Sequence, residues 1–361
     1  MSFSVCVNRH YRLILVSLAV LLSMSCACSA GRASAAGNRI DPKSAKLIAE
    51  VRNLGWIAYG SRTPKGDWDL FVMRPDGSHR RNITNTPDYN ETLPRFSPDG
   101  RKLIYRRLPK SGVVDGNIYG AQGQLVIAKA DGSRPVVYGK DGEYPWASWS
   151  PDGKQFACLG KEGIFFVDIA TRKVLRRLNR KGIYQQLSWS PDGKWLAGIA
   201  NMKIAWTVVR MNAKTGELNA VHDYQNCTPQ WCPDSKRIIF ANRPAGQPEN
   251  AGGGWTQMFI GEGDGRNCHL VYGENGVHVY GNMPSPDGKY VVFTRSPEEN
   301  GNPQKVGSPL SIMRLRDAPT IRGESTTMRK AYGKTKDGPI FQIPVGLGWG
   351  PCWAYARIRQ R

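Results

Sequence analysis

The sequence predicts an all-β fold: a six-bladed β-propeller of four-stranded antiparallel blades, closed by a C-terminal strand that pairs with the first blade. Three observations predict it. A five-residue phrase recurs as FSPDG at Phe96–Gly100, WSPDG at Trp149–Gly153, WSPDG at Trp189–Gly193, WCPDS at Trp231–Ser235 and PSPDG at Pro284–Gly288. A basic residue or two and a short apolar run follow each copy: RKLIY, KQFAC, KWLAG, KRIIF and KYVVF. The copies stand 53, 40, 42 and 53 residues apart, and a four-stranded blade takes about 40–45 residues.

The chain has 361 residues, enough for one large all-β domain. Its first 36 residues read as an export signal. Arg9, His10 and Arg12 precede an apolar stretch, Leu13–Met24, and Ala33-Ser34-Ala35 suits cleavage. That stretch is short against the roughly 20 residues of a membrane span. Cys26 and Cys28 follow it and offer a lipoprotein reading, although the residues before them fit a lipidation signal poorly. The mature protein is expected in the periplasm or cell envelope. Next, residues 37–54 form a linker with a short helix over Asp41–Leu54. Asp41 caps it, Pro42 suits its first turn, and Leu47, Val51 and Leu54 share a face.

The propeller is expected over residues 55–351, with 352–361 as a tail. Gly55–Arg62, Asp69–Ser78 and His79–Thr84 read as the second, third and fourth strands of a blade whose first strand is missing. Each Ser-Pro-Asp-Gly then closes a hairpin. Proline presets φ at the second turn position, Asp suits the third, and Gly takes the left-handed conformation. A second hairpin follows each first one, as in Gln124–Tyr138, Gly163–Leu178, Trp206–Val221 and Trp255–Tyr272. Gly/Asn/Pro-rich insertions at Pro244–Gly254 and Pro297–Ser308 read as surface loops. Val345–Pro351 supplies the missing strand, with Trp349 in the repeat's aromatic place. That aromatic should wedge between blades, and pairing the two chain ends removes free sheet edges.

The phrase WSPDGK, its apolar strand and the I/L-x-V-x-x-x-x-G that follows resemble the TolB-type (WD40-like) β-propeller repeat over residues 55–351. The resemblance implies a propeller and an envelope address. In that family the propeller docks on a peptidoglycan-associated lipoprotein and an envelope motor complex. The family also carries an α/β domain ahead of the propeller, for which about 18 residues between signal and first strand leave no room.

Function is less legible. A tyrosine precedes each Ser-Pro segment: Tyr89, Tyr144, Tyr184, Tyr224 and Tyr280. Ring geometry would gather them at one channel mouth, where Tyr suits a protein or sugar ligand; the alternative is that each packs on its neighbouring blade. His222 and His278 are weak metal candidates for want of a third ligand, and no cofactor is expected. Neither G-x-S-x-G nor HExxH occurs. The leading expectation is an exported, non-catalytic, monomeric scaffold that binds a protein partner or an envelope polymer. The alternative is a metal-assisted lyase or hydrolase acting on acidic oligosaccharide, since lyases of oligogalacturonate share this repeat. The formal charge of +21 falls to +18 without Arg9, Arg12 and Arg32. It favours anionic envelope polymers or a membrane surface over nucleic acid, unless the charge is merely solvated. Five cysteines remain after the signal: Cys158, Cys227, Cys232, Cys268 and Cys352. One pair could bridge in an oxidising compartment; buried thiols are the simpler expectation.

Overall fold

In the repeated turn, serine acts as the staple. The hydroxyls of Ser97, Ser150, Ser190 and Ser285 donate to the aspartate two residues on at 2.6–2.7 Å. Each also accepts from the backbone N–H five residues on at 2.9–3.0 Å. The aspartate accepts from the N–H of Arg101, Lys154, Lys194 or Lys289 at 3.0–3.1 Å. At Cys232 the hydroxyl is missing. There Asp234 supplies the side-chain acceptor for the N–H groups of Lys236 and Arg237, beside main-chain bonds from the Cys232 N–H to Arg237 O and from the Ser235 N–H to Cys232 O. Ser235 takes the left-handed place at φ +56°. The turn aspartates also pair with their own turn's cations, as in Asp192–Lys194 at 3.7 Å and Asp234–Arg237 at 2.6 Å. The turn cations therefore sit in local, exposed pairs worth little stability.

This is a computed structural model, which describes residues 41–111, 122–160, 162–179, 182–202, 206–246, 256–297, 307–319, 321–333, 338–356 and 358. The export signal with Cys26 and Cys28, and most of both insertions, lie outside the described residues. Four antiparallel four-stranded sheets follow one another along the chain. They are β4–β7 (Tyr89–Phe96, Lys102–Pro109, Gln124–Lys129, Val136–Tyr138) and β8–β11 (Ser148–Trp149, Gln155–Gly160, Gly163–Asp168, Val174–Leu178). The other two are β12–β15 (Ile183–Trp189, Trp195–Ala200, Thr207–Asn212, Leu218–His222) and β16–β19 (Asn226–Trp231, Arg237–Asn242, Gln257–Glu262, His269–Tyr272). Each sheet keeps sequence order, as the hairpin-on-hairpin repeat requires. The remaining strands form one seven-stranded sheet of order β20-β21-β22-β23-β1-β2-β3. These are β20 (Val277–Pro284), β21 (Tyr290–Pro297), β22 (Ser308–Arg314), β23 (Phe341–Ala354), β1 (Trp56–Arg62), β2 (Trp68–Met73) and β3 (Arg81–Asn82).

The protein is thus an all-β propeller of four-stranded antiparallel blades, but with four separate four-stranded sheets and one of seven strands rather than the six four-stranded sheets expected. The reason is β23. Its first half pairs with β22 (Ser308 opposite Gly348) and its second half with β1 (Ile57 opposite Trp353, Gly60 opposite Trp349), so it joins what were expected as two sheets. The register also corrects the sequence reading. Trp353, not Trp349, stands where Phe96 and Trp231 stand in their strands, opposite the second residue of the strand it pairs with (Ile57, Leu103 and Ile238). The strand continues through Ala354, into the segment expected as tail.

The core lies between sheets. Leu103, Tyr105, Val126 and Ala128 pack against Trp56, Ala58, Leu70 and Val72. Phe156 and Val167 pack against Ile104 and Leu125. Leu196 and Val209 meet Ala157 and Phe166, Ile238 and Phe240 meet Ala197 and Val208, and Val291 and Phe293 meet Ile239 and Met258. Ile57, Tyr59 and Phe71 meet Val292, Leu310 and Ile312, and the helix α1 (Pro42–Val51) lays Leu47 and Val51 on that cluster. Asp41 caps α1, accepting from the N–H groups of Lys43 and Ser44 at 3.0 and 2.9 Å. Aromatics of the phrase also tie sheet to sheet: Trp149 Nε1 donates to Arg95 O at 3.0 Å, and the Trp189 N–H donates to Ser148 Oγ at 2.9 Å. The five described cysteines are buried free thiols. Among the described residues, no helix is long and apolar enough to cross a membrane.

Candidate functional site: a bulge-lined cavity and a neighbouring pocket

One position of the repeat builds the site. Three residues before each repeat aromatic, or before Pro284, the backbone turns left-handed: Leu93, Trp146, Gln186, Thr228, Gly281 and Gly350 have φ between +50° and +68°. Pairing slips at that point in β4, β12, β16, β20 and β23. These are β-bulges, which re-aim side chains out of the ladder. Glycine adopts this φ freely at two of the positions; at the other four it costs on the order of 1–2 kcal/mol. All six residues line one cavity of about 70 Å³, with Arg95, Arg106, Gln230, Tyr280 and Trp349 among their neighbours.

The cavity is laced by few bonds. Gln186 spans it: Oε1 accepts from the Thr228 N–H at 2.5 Å, and Nε2 donates to the Tyr280 hydroxyl at 2.8 Å. Tyr280 stacks on Trp349 with centroids 4.9 Å apart. Arg106, 3% exposed, donates to three carbonyls, those of Gln122, Tyr144 and Gly123. Burial pulls its pKa down to about 10, so it stays charged at neutral pH. Arg95 Nη1 donates to the carbonyls of Pro94 (2.8 Å) and Gly350 (3.2 Å), and burial lowers its pKa as well. Burial, followed by nearby Cys227, raises the Tyr280 pKa, which keeps the phenol neutral.

The structure separates the five tyrosines of the sequence reading. Tyr280 lines the cavity of about 70 Å³. Tyr89 lies under the Arg107 guanidinium at 4.1 Å. Tyr144 packs edge-on against Phe156 at 5.4 Å. Tyr224 lies under Arg329 and joins an inter-sheet core. Tyr184 is 40% exposed and lines a second pocket of about 660 Å³ with Trp146, Phe165, Leu159, Glu143 and Glu162. Trp146 lines both spaces. His222 stacks on Phe240 at 5.2 Å and His278 on Tyr280 at 5.6 Å. Burial lowers their pKa values to about 4 and about 3. Among the described residues no group of three or more His, Cys, Asp or Glu side chains is placed to hold a metal.

Arg95, Trp146, Gln186 and Thr228 escaped the sequence reading, which looked for a repeated residue type. The available signal was a repeated offset. Counting three back from each aromatic of the phrase finds the cavity-lining positions whatever residue fills them.

No protein-family model and no curated protein sequence matches the chain. Solved structures do. TolB from Acinetobacter baumannii is similar at 19% identity and a TM-score of 0.59, covering 86% of this chain and 70% of that one. A putative TolB from Agrobacterium tumefaciens is similar at 20% identity and 0.53, covering 73% and 86%. Hydrazine synthase from Kuenenia stuttgartiensis aligns at 16% identity and 0.50, covering 81% and 87%. At such identities the likeness is one of fold, and that fold is the TolB-type propeller.

Proposed function

We propose that the chain is an exported, non-catalytic propeller scaffold that receives a protein partner or an envelope polymer beside its channel. On this reading the seven-stranded sheet is two blades sharing β23, which makes six blades joined by pairing of the chain ends. The observation that carries the binding reading is the pocket of about 660 Å³ lined by the exposed ring of Tyr184, which shares Trp146 as a wall with the cavity of about 70 Å³, on this reading axial. Its volume falls within the roughly 300–1,000 Å³ typical of ligand sites, whereas the axial cavity, at about 70 Å³, falls far below it. That contrast favours contact at the rim over an oligosaccharide held in the axis. An exported address follows from the sequence signal and accords with the TolB-type fold.

The test is capture from envelope extract by the purified protein, at low and high salt. Tyr184→Ala should weaken capture without moving Tm by more than a degree or two, because the ring is exposed. Capture that Tyr184→Ala leaves intact but salt abolishes would assign binding to the basic surface instead.

A further inference from the structure

We propose that the axial cavity is a carboxylate-binding subsite built around Arg95. Among its lining residues are two arginines and no Asp or Glu. Arg95 is placed by β4 one residue before the repeat aromatic. The hydrogen bonds of its Nη1 go to main-chain carbonyls, which accept without neutralising. Arg106 adds a second charge whose bonds also end on carbonyls. Arg106 has Asp141 as a nearby counter-charge. The ionisable groups nearest half-buried Arg95 are instead Cys352 and Tyr280, whose pKa values burial raises. A buried cation without a counter-charge is costly, and an anionic guest at Arg95 would offset part of that cost.

A second observation points to a guest. Thr228 is more than nine-tenths buried, lines the cavity, and its Oγ1 satisfies no full hydrogen bond, with the adjacent Cys227 thiol near it. A buried hydroxyl left unsatisfied calls for an explanation. The Tyr280 hydroxyl accepts from Gln186 and so retains its own proton to donate. Guanidinium, hydroxyl and phenol donors thus border one space, a set suited to a carboxylate. The cavity of about 70 Å³ exceeds the roughly 10–15 Å³ of probe space that one water needs, so it has room for a carboxylate group. The carboxylate is either a free small acid or the acidic tip of the docked partner; the second source rests on the partner reading above.

The experiment is thermal unfolding of the whole protein at pH 7 and constant ionic strength, titrated with sodium formate, sodium chloride or formamide. Formate should raise Tm saturably, and formamide should not. Arg95→Gln should weaken the formate response at least tenfold. Should that variant fail to fold, Thr228→Val, which removes one hydroxyl at constant shape, should weaken it severalfold. A formate response no larger than that of chloride, or one retained in either variant, overturns the proposal. The source follows from acetyl-triglycine compared with its C-terminal amide. An acid peptide binding tenfold tighter than formate, with the amide inactive, assigns the site to a chain end. Binding of formate alone assigns it to a small acid. These probes contain no partner, so their failure leaves the Tyr184 test of partner binding intact.

Discussion

Replacing Glu91 with glutamine should change how stability depends on pH. Glu91 lies on β4 with 0% exposure. Its Oε1 accepts from the Thr86 hydroxyl, and Oε2 has no hydrogen-bond partner. Burial first, and the neighbouring charge of Asp69 second, push its pKa up to about 8 from an ordinary 4.5. Between those two values the unfolded chain has released the proton while the folded protein holds it. Stability contributed by the neutral carboxyl is therefore complete below about pH 4.5 and is lost as pH rises through about 8. At about 1.4 kcal/mol per pH unit the full window amounts to about 5 kcal/mol, and relaxation around the ionised group should reduce this to about 2–4. Glutamine keeps the shape and the acceptor for Thr86 but cannot ionise. Urea unfolding from pH 5 to 9 should therefore show Glu91→Gln gaining on the parent protein as pH rises. Parallel profiles across that range would refute the argument, because they would mean that Glu91 ionises as freely folded as unfolded.

Three other substitutions test the packing. His278 is 2% exposed with its pKa lowered to about 3 by burial and by Arg243. It is neutral when folded, so stability should fall as pH drops below about 6.5, and His278→Gln should flatten that acid limb in the same urea assay. Trp353 is 5% exposed, and its Nε1 donates to Leu54 O at 2.6 Å. Trp353→Ala should cost about 3–5 kcal/mol. Trp189 is only half-buried against Phe166, so Trp189→Ala should cost less, about 1–3 kcal/mol. The reverse order in calorimetry would mean that the repeat register placing Trp353 in the aromatic position is wrong.

The hairpins were legible because each rests on local chemistry. Ser190, Pro191, Asp192 and Gly193 specify their turn through bonds that span at most five residues. Helix α1 was legible for the same reason, through the Asp41 cap and the apolar spacing of Leu47 and Val51. The pairing of the last strand with the first could be inferred, but its register could not. Val345–Pro351 and the residues after it offer two tryptophans four positions apart, Trp349 and Trp353. Choosing between them depends on where Gly350 turns left-handed against β1.

The site was less legible still. Tyr144 and Tyr280 occupy the same segment of their repeats, yet one packs on Phe156 and the other lines the cavity. By itself the sequence determined the repeating unit, its turns and the residues that face a core, since those depend on neighbours along the chain. Only the tertiary structure decided which side chains meet at the shared cavity. Arg95, Gln186, Thr228 and Tyr280 come from four different strands, and a bulge at one offset in each turns them toward a common space that no single repeat contains.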